Sequence, residues 1–165
     1  MQKVLITGHD LTVDQIIAVC REGAEVVLSD ESREKILASR QVVNELVEER
    51  KVVYGITTGF GKFSDVVISQ DECKLLQKNL IITHAVGAGD PFKEDIARGI
   101  LLLRVNSLSN GFSGICLETV ETMIAMLNKG VTPFIPEKGS LGASGDLAPL
   151  SHMVLPMIGL GMAWY

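Results

Sequence analysis

The chain has 165 residues, enough for one domain with a real core. A formal net charge of −5, a pI of about 5.2 and the lack of any basic block argue against a nucleic-acid or anionic-membrane partner. Apolar residues make up 47% and mean hydropathy is +0.29, so some apolar surface is expected to meet a partner or a further part of the polypeptide.

Cys20, Cys73 and Cys116 lie far apart, with no CxxC and no zinc-ligand spacing. They read as reduced, buried thiols of a cytosolic protein, and no metal is expected. Met1-Gln2-Lys3 runs into only three apolar residues, Val4-Leu5-Ile6, which is too short for a signal peptide. The Leu147–Tyr165 apolar run is interrupted by Ser151, His152 and Pro156, against a membrane span.

In chain order, Lys3 to Thr7 predicts a short strand and Gly8-His9-Asp10 a solvated turn. Thr12 with Gln15 fits a capping box, opening a helix with Val13, Ile16, Ile17 and Cys20 on one stripe and Gly23 as its stop. Ala24 to Leu28 predicts a second strand able to pair with the first. Ser29 or Asp30 then caps a helix to about Arg50, with Ile36, Val43, Leu46 and Val47 inward.

Val52 to Lys62 holds three glycines in seven residues, a loop of unusual backbone angles. It is not a phosphate loop, since Ile56 and Phe63 stand where that motif needs Gly and Ser or Thr. Tyr54, within it, reads on its own as packing. Ser69 and Glu72 fit a second capping box, and the helix they open runs to the glycines after His84. That places His84 near a helix C-terminus, where the last carbonyls and the dipole satisfy it.

Asp90-Pro91 predicts the start of a helix carrying Ile96, Ile100, Leu103 and Leu108, and another helix follows from about Ile115 to Asn128 with Gly130 as its stop. Thr132 to Pro136 is an extended link. After Asp146 a further helix has Pro149 in its first turn and bends near Pro156. The chain is therefore mainly α with a minor β component.

Gly139 to Gly145 is spaced G-x-x-G-x-x-G with no clear strand ahead of it, so it is not a dinucleotide fingerprint. Asp146 also breaks the nucleophile-elbow pattern. Two readings stand on the residues alone. One is a plain Gly-Ser loop capping a helix through Asp146. In the other, the unshielded amide nitrogen of Gly145 attacks the carbonyl carbon of Ala143. Loss of water from that ring and from Ser144 then gives 4-methylidene-imidazol-5-one (MIO), an electrophile needing no external cofactor.

Gly139 to Met153 closely resembles the signature of the aromatic amino acid ammonia-lyase and aminomutase family. Tyr54-Gly55-Ile56-Thr57-Thr58-Gly59-Phe60-Gly61 is similar to its tyrosine loop, and Leu76 to Gly89, with Thr83-His84, to its substrate-facing segment. Arg104-Val105-Asn106-Ser107-Leu108 with Gly111-Phe112-Ser113-Gly114 fits as well. Within the family, Thr83-His84 is most similar to the histidine ammonia-lyase branch, and an imidazole at 84 can exchange a hydrogen bond with a substrate imidazole. Tyrosine and phenylalanine lyases or aminomutases are the alternative.

The resemblance implies elimination of ammonia from L-histidine to give trans-urocanate, in the histidine catabolism of the cytoplasm. The substrate amine would add to the methylidene carbon derived from Ser144. Tyr54 would take the β-proton, which requires a site that stabilises the phenolate, since tyrosine ordinarily titrates near about 10. His84 would bind substrate, and Asp146 would orient the backbone during and after cyclisation of Ala143-Ser144-Gly145.

The resemblance further implies the N-terminal part of the ammonia-lyase helical fold. Residues 1–110 would form an α+β region with the tyrosine loop and His84, and residues 111–165 the start of the helical core. The C-terminal helical region of that fold is expected to lie outside this chain. Family members are homotetramers with sites shared between subunits. The chain alone is expected to be a non-catalytic fragment in which the ring does not form.

Overall fold

Val4 and Ile6 are fully buried while Lys3 and Leu5 face solvent, the two-residue period of a half-buried strand. They form β1 (Lys3–Ile6) in a computed structural model that describes residues 2–59 and 70–165, with backbone alone over 70–74. β2 (Glu25–Leu28) pairs with it in parallel, Lys3 opposite Glu25 and Ile6 opposite Leu28, as expected. With 52% helix and 13% strand, the chain is mainly α with a minor β component.

Between the strands lies α1 (Val13–Arg21), opened by the expected capping box: Thr12 Oγ1 accepts from Gln15 N at 3.3 Å, and Gln15 Oε1 from Thr12 N at 2.9 Å. Its buried side differs from the expected stripe. Ala18 and Val19 are buried, Ile16 and Cys20 half-buried, and Val13 is 70% exposed. Spacing picks the most apolar arc, whereas packing against α4 selects the arc with the small Ala18.

Ser29 caps α2 (Asp30–Glu48), its Oγ accepting from Ser32 N at 3.1 Å. Ile36 is fully buried on this helix; Val43, Leu46 and Val47 are half-buried. α3 (Gln70–His84) ends where the glycines were expected to stop it. The capping box proposed for Ser69 and Glu72, with Phe60 and Gly61 of the tyrosine loop, lies outside the described residues and side chains.

The helix expected from Asp90-Pro91 starts later. Residues Ala88–Pro91 are β3, and α4 (Glu94–Leu108) begins after Lys93. Pro91 sits on a two-stranded edge where its missing N–H leaves nothing unpaired. α4 buries Ala97, Leu101, Leu102, Val105 and Leu108; Ile96 and Leu103, expected inside, are about half exposed. α4 lies between α1 and α5 (Leu117–Lys129), and contact on both flanks moves the buried arc from the predicted stripe. The Arg98 guanidinium donates to Val19 O at 3.0 Å and Leu127 O at 3.2 Å, satisfying carbonyls of α1 and α5 together.

Gly130 ends α5 in the left-handed region, as expected. The extended link resolves into β4 (Thr132–Pro133) and β5 (Pro136–Lys138). β4 pairs antiparallel with β6 (Ala163–Trp164), where Phe134 and Trp164 stack at 5.3 Å. A strand does therefore precede Gly139: β5, paired antiparallel with β3 across the chain. Its three residues carry no alternation for a sequence pattern to detect. α6 (Leu147–Val154) has Pro149 in its first turn. At Pro156 the α-helix gives way to a 3-10 turn, Leu155–Ile158, rather than bending, since proline has no N–H for an i to i−4 bond.

One buried cluster joins both strands of the β1–β2 pair, α1, α2, α4, α5, Ile135 and Met153. Cys20 and Cys116 are free and half-buried, less enclosed than expected, and Cys73 lies outside the described side chains. Among the described residues no helix is long and apolar enough to cross a membrane. Apolar surface is plentiful: Phe112 and Leu141 are 92% and 95% exposed.

Candidate functional site

The β3–β5 pairing brings together two segments some fifty residues apart in the chain, pairing Ala88 with Lys138 and Pro91 with Pro136. It sets Gly87 against Gly139 so closely that a Cβ on Gly139 would lie 3.0 Å from Gly87 Cα. From there the chain enters the loop of residues 139–146. Gly139, Gly142 and Gly145 all have positive φ, at 126°, 148° and 73°, angles that glycine alone adopts without strain. Ala143 and Ser144 are exposed. The Ser144 hydroxyl donates to Asp146 Oδ1.

Asp146 occupies the position before α6, but its side chain makes no capping bond to the helix. Its carboxylate is committed to Ser144 instead, which sets this loop apart from an ordinary Asp-capped helix start. A cavity of about 220 Å³ opens beside the loop, lined by Gly87, Phe92, Pro136, Ser140, Gly145 and Asp146 among others.

His84 closes α3. Its Nδ1 is 2.8 Å from Leu80 O, the carbonyl one turn back, as expected of a histidine satisfied by the carbonyls of its helix end. A carbonyl only accepts, so Nδ1 carries a proton, and in the neutral imidazole Nε2 is then the acceptor. Thr83 Oγ1 donates to the same carbonyl at 3.1 Å. The imidazole is half-buried and lies three residues before Gly87.

A second histidine joins this corner. His152, on α6, accepts a hydrogen bond at Nε2 from Gly87 N at 2.9 Å. Burial pushes its pKa below the ordinary value of 6.5. In the sequence His152 is only a polar interruption of an apolar run, and no local signal links it to Gly87.

The Tyr54 loop is built by its threonines. Thr57 Oγ1 accepts from Val53 N at 2.9 Å and Thr58 Oγ1 from Gly55 N at 3.3 Å, both hydroxyls being buried. Gly55 has φ 73°, as the glycine density suggested, and Tyr54 is 61% exposed. Gly55 and Ile56 border a different cavity, of about 770 Å³, with Arg40, Gln77 and Gly114. The structure thus joins the strand after His84 to the strand before the Ala143-Ser144-Gly145 loop, and the Tyr54 loop borders a different cavity.

The block from Arg104 to Gly114 is scaffold. Asn106 and Asn110 both donate to Gly8 O, at 3.3 and 3.0 Å. Gly111 and Gly114 press on α2, and Gly114 N donates to Ser39 Oγ at 2.8 Å. Among the described residues no cluster of His, Cys, Asp or Glu could hold a metal ion.

The model of the aromatic amino acid lyase family matches residues 11–165. The chain belongs to the aromatic amino acid lyase family. It is 61% identical to the histidine ammonia-lyase of Caldanaerobacter subterraneus subsp. tengcongensis over all 165 of its residues, which are 32% of that relative. The chain therefore spans about a third of the length of the curated aromatic amino acid lyases it matches. Among solved structures it superposes on 31% of the histidine ammonia-lyase from Trypanosoma cruzi, with TM-score 0.90, 42% identity and 98% of this chain covered. Tyrosine aminomutase from Streptomyces globisporus superposes with the same TM-score at 36% identity, over 99% of this chain and 30% of that one. In all of these lyase-family comparisons the match covers the strand pair and loop that form the corner just described.

Proposed function

We propose that the chain carries the electrophile-forming loop and the substrate-selecting histidine of a histidine ammonia-lyase, an enzyme converting L-histidine to trans-urocanate and ammonia. The observation that supports this most is the β3–β5 pairing, which joins the strand that follows His84 to the strand that leads into Ala143-Ser144-Gly145, in a chain 61% identical to a histidine ammonia-lyase. These residues fit MIO: Gly145 has no Cβ to shield its nitrogen, Ser144 has its hydroxyl held by Asp146, and Ala143 and Ser144 are open to solvent. When formed, the ring supplies an electrophilic carbon that makes the substrate nitrogen a better leaving group.

The chain's own residues divide the remaining work. His84, protonated at Nδ1, offers Nε2 as an acceptor to the N–H of a substrate imidazole. Tyr54, exposed on the loop that borders the larger cavity, takes the β-proton. Asp146 accepts from Ser144 Oγ and orients the tripeptide for ring closure. The chain acts as part of a cytoplasmic homotetramer, and by itself it is inactive.

The test is a polypeptide in which this chain is continued to the length of its curated relatives. It should deaminate histidine, read as the urocanate absorbance band. Ser144→Ala should abolish turnover, and Tyr54→Phe should lower kcat by at least about a hundredfold, as for loss of a general base. Tyr54→Phe with near-normal turnover would remove tyrosine as the base. The structural likeness to a tyrosine aminomutase favours a second reading, in which the substrate is tyrosine or phenylalanine. Product analysis on the three amino acids separates the two.

A further inference from the structure

We infer that His152 is a positioning residue, holding the His84 segment in register with the ring-forming loop through the hydrogen bond that its Nε2 accepts from Gly87 N–H. The inference rests on the proposed function for the importance of those two segments, but the bond itself is a property of the chain alone.

Three observations converge on it. The bond is 2.9 Å long and spans 65 residues, from the turn after α3 to the last turn of α6. A Cβ on Gly87 would lie 2.9 Å from His152 Nε2 and 3.0 Å from Pro136 Cβ, so only a glycine lets the backbone come this near. Gly139, the first residue of the loop, comes so near that a Cβ on it would lie 3.0 Å from Gly87 Cα. Gly87 is thus clamped between the start of the loop and the helix that follows it. His84 lies three residues before the clamp, and Ser144 lies between its two far arms.

The chemistry of the clamp is specific. An amide N–H can be received only by an imidazole nitrogen with a free lone pair, so His152 must be neutral and protonated at Nδ1. Protonation turns Nε2 into a donor facing a donor, and the clamp opens. Among the described side chains, the charged and titratable groups on the neighbouring elements are Lys78 and His84 on α3, Asp90 on β3, Glu137 and Lys138 on β5, and Asp146 ahead of α6. Burial is the cause of the lowered His152 pKa, and it acts in the same direction as the accepted hydrogen bond.

The experiment is nitrogen-15 NMR and amide hydrogen exchange on this chain, with His152→Gln and His152→Leu as variants. In the unaltered chain the His152 ring should show an unprotonated Nε2, and the Gly87 amide should be protected until His152 titrates. The leucine keeps bulk but offers no acceptor, so Gly87 exchange should rise about tenfold and the resonances of residues 139–146 should broaden or move. The glutamine offers a carbonyl in place of Nε2 and should restore protection with no dependence on acid. If leucine protects Gly87 as well as histidine does, or if glutamine fails to restore it in a folded chain, the clamp is mere packing and the inference falls. None of these readouts needs a ring or turnover, so the proposed function can fail without them, and they without it.

Discussion

At the scale of single residues, backbone angle and neighbourhood can be separated. Gly111 and Gly130 have nearly the same φ, 72° and 73°. A Cβ on Gly130 meets nothing within 4 Å, whereas one on Gly111 would sit 2.6 Å from the backbone carbon of Lys35. Gly130→Ala should therefore cost only the left-handed penalty, about 1–2 kcal/mol. Gly111→Ala should cost that plus a displacement of α2, about 1–3 kcal/mol more. Urea midpoints of the two variants check this; equal losses would show that α2 yields freely. The same contrast explains what was legible in the sequence. Ala143-Ser144-Gly145 can be read from its own atoms, and His84 from the glycines that stop its helix. Gly87 and His152 cannot, because a contact across 65 residues leaves no local pattern.

At the scale of elements, a two-stranded parallel sheet is too small to stand alone. Asn128, in the last turn of α5, completes it: Oδ1 accepts from Val26 N at 2.8 Å and Nδ2 donates to Val26 O at 2.9 Å. The amide stands where a third strand's backbone would. Asn128→Ala should leave both groups of Val26 unmatched and cost about 2–3 kcal/mol, measured by denaturant titration. Asn128→Asp, which keeps an acceptor but no donor, should fall between. Elements with a local start or stop signal, such as Thr12, Ser29 and Gly130, were legible at their ends. The buried arcs of α1 and α4 were not, because the side that faces inward is set by which helices flank it. β3 and β5 were missed for a related reason: each is stabilised by the other, and neither has an alternating pattern of its own.

For the whole molecule, two half-buried titratable groups, His152 and Cys20, bear on stability at opposite ends of the pH range. Burial lowers the pKa of His152 from 6.5 and raises that of the Cys20 thiol from 9.0, the latter opposed in part by Arg98. For His152 the unfolded chain binds the proton more readily. Its contribution is therefore complete above 6.5 and is lost as pH falls through the depressed value. For Cys20 the unfolded chain releases the proton more readily, so its contribution is complete below 9.0 and is lost as pH rises through the raised value. Glu31, whose carboxyl is held low by its hydrogen bond and charge pairing with Lys35, acts only below its ordinary 4.5. Stability should accordingly form a plateau between 6.5 and 9.0 as far as these groups set it, with shoulders no steeper than about 1.4 kcal/mol per pH unit per group, and shallower for partial exposure. Urea midpoints taken below 6.5, on the plateau and above 9.0 trace the shape. His152→Gln should flatten the acid shoulder and leave the alkaline one, and Cys20→Ala should do the reverse. If His152→Gln left the acid shoulder between 6.5 and 4.5 unchanged, the loss of stability there would belong to some other group, and protonation of His152 would not be what loosens this corner of the fold.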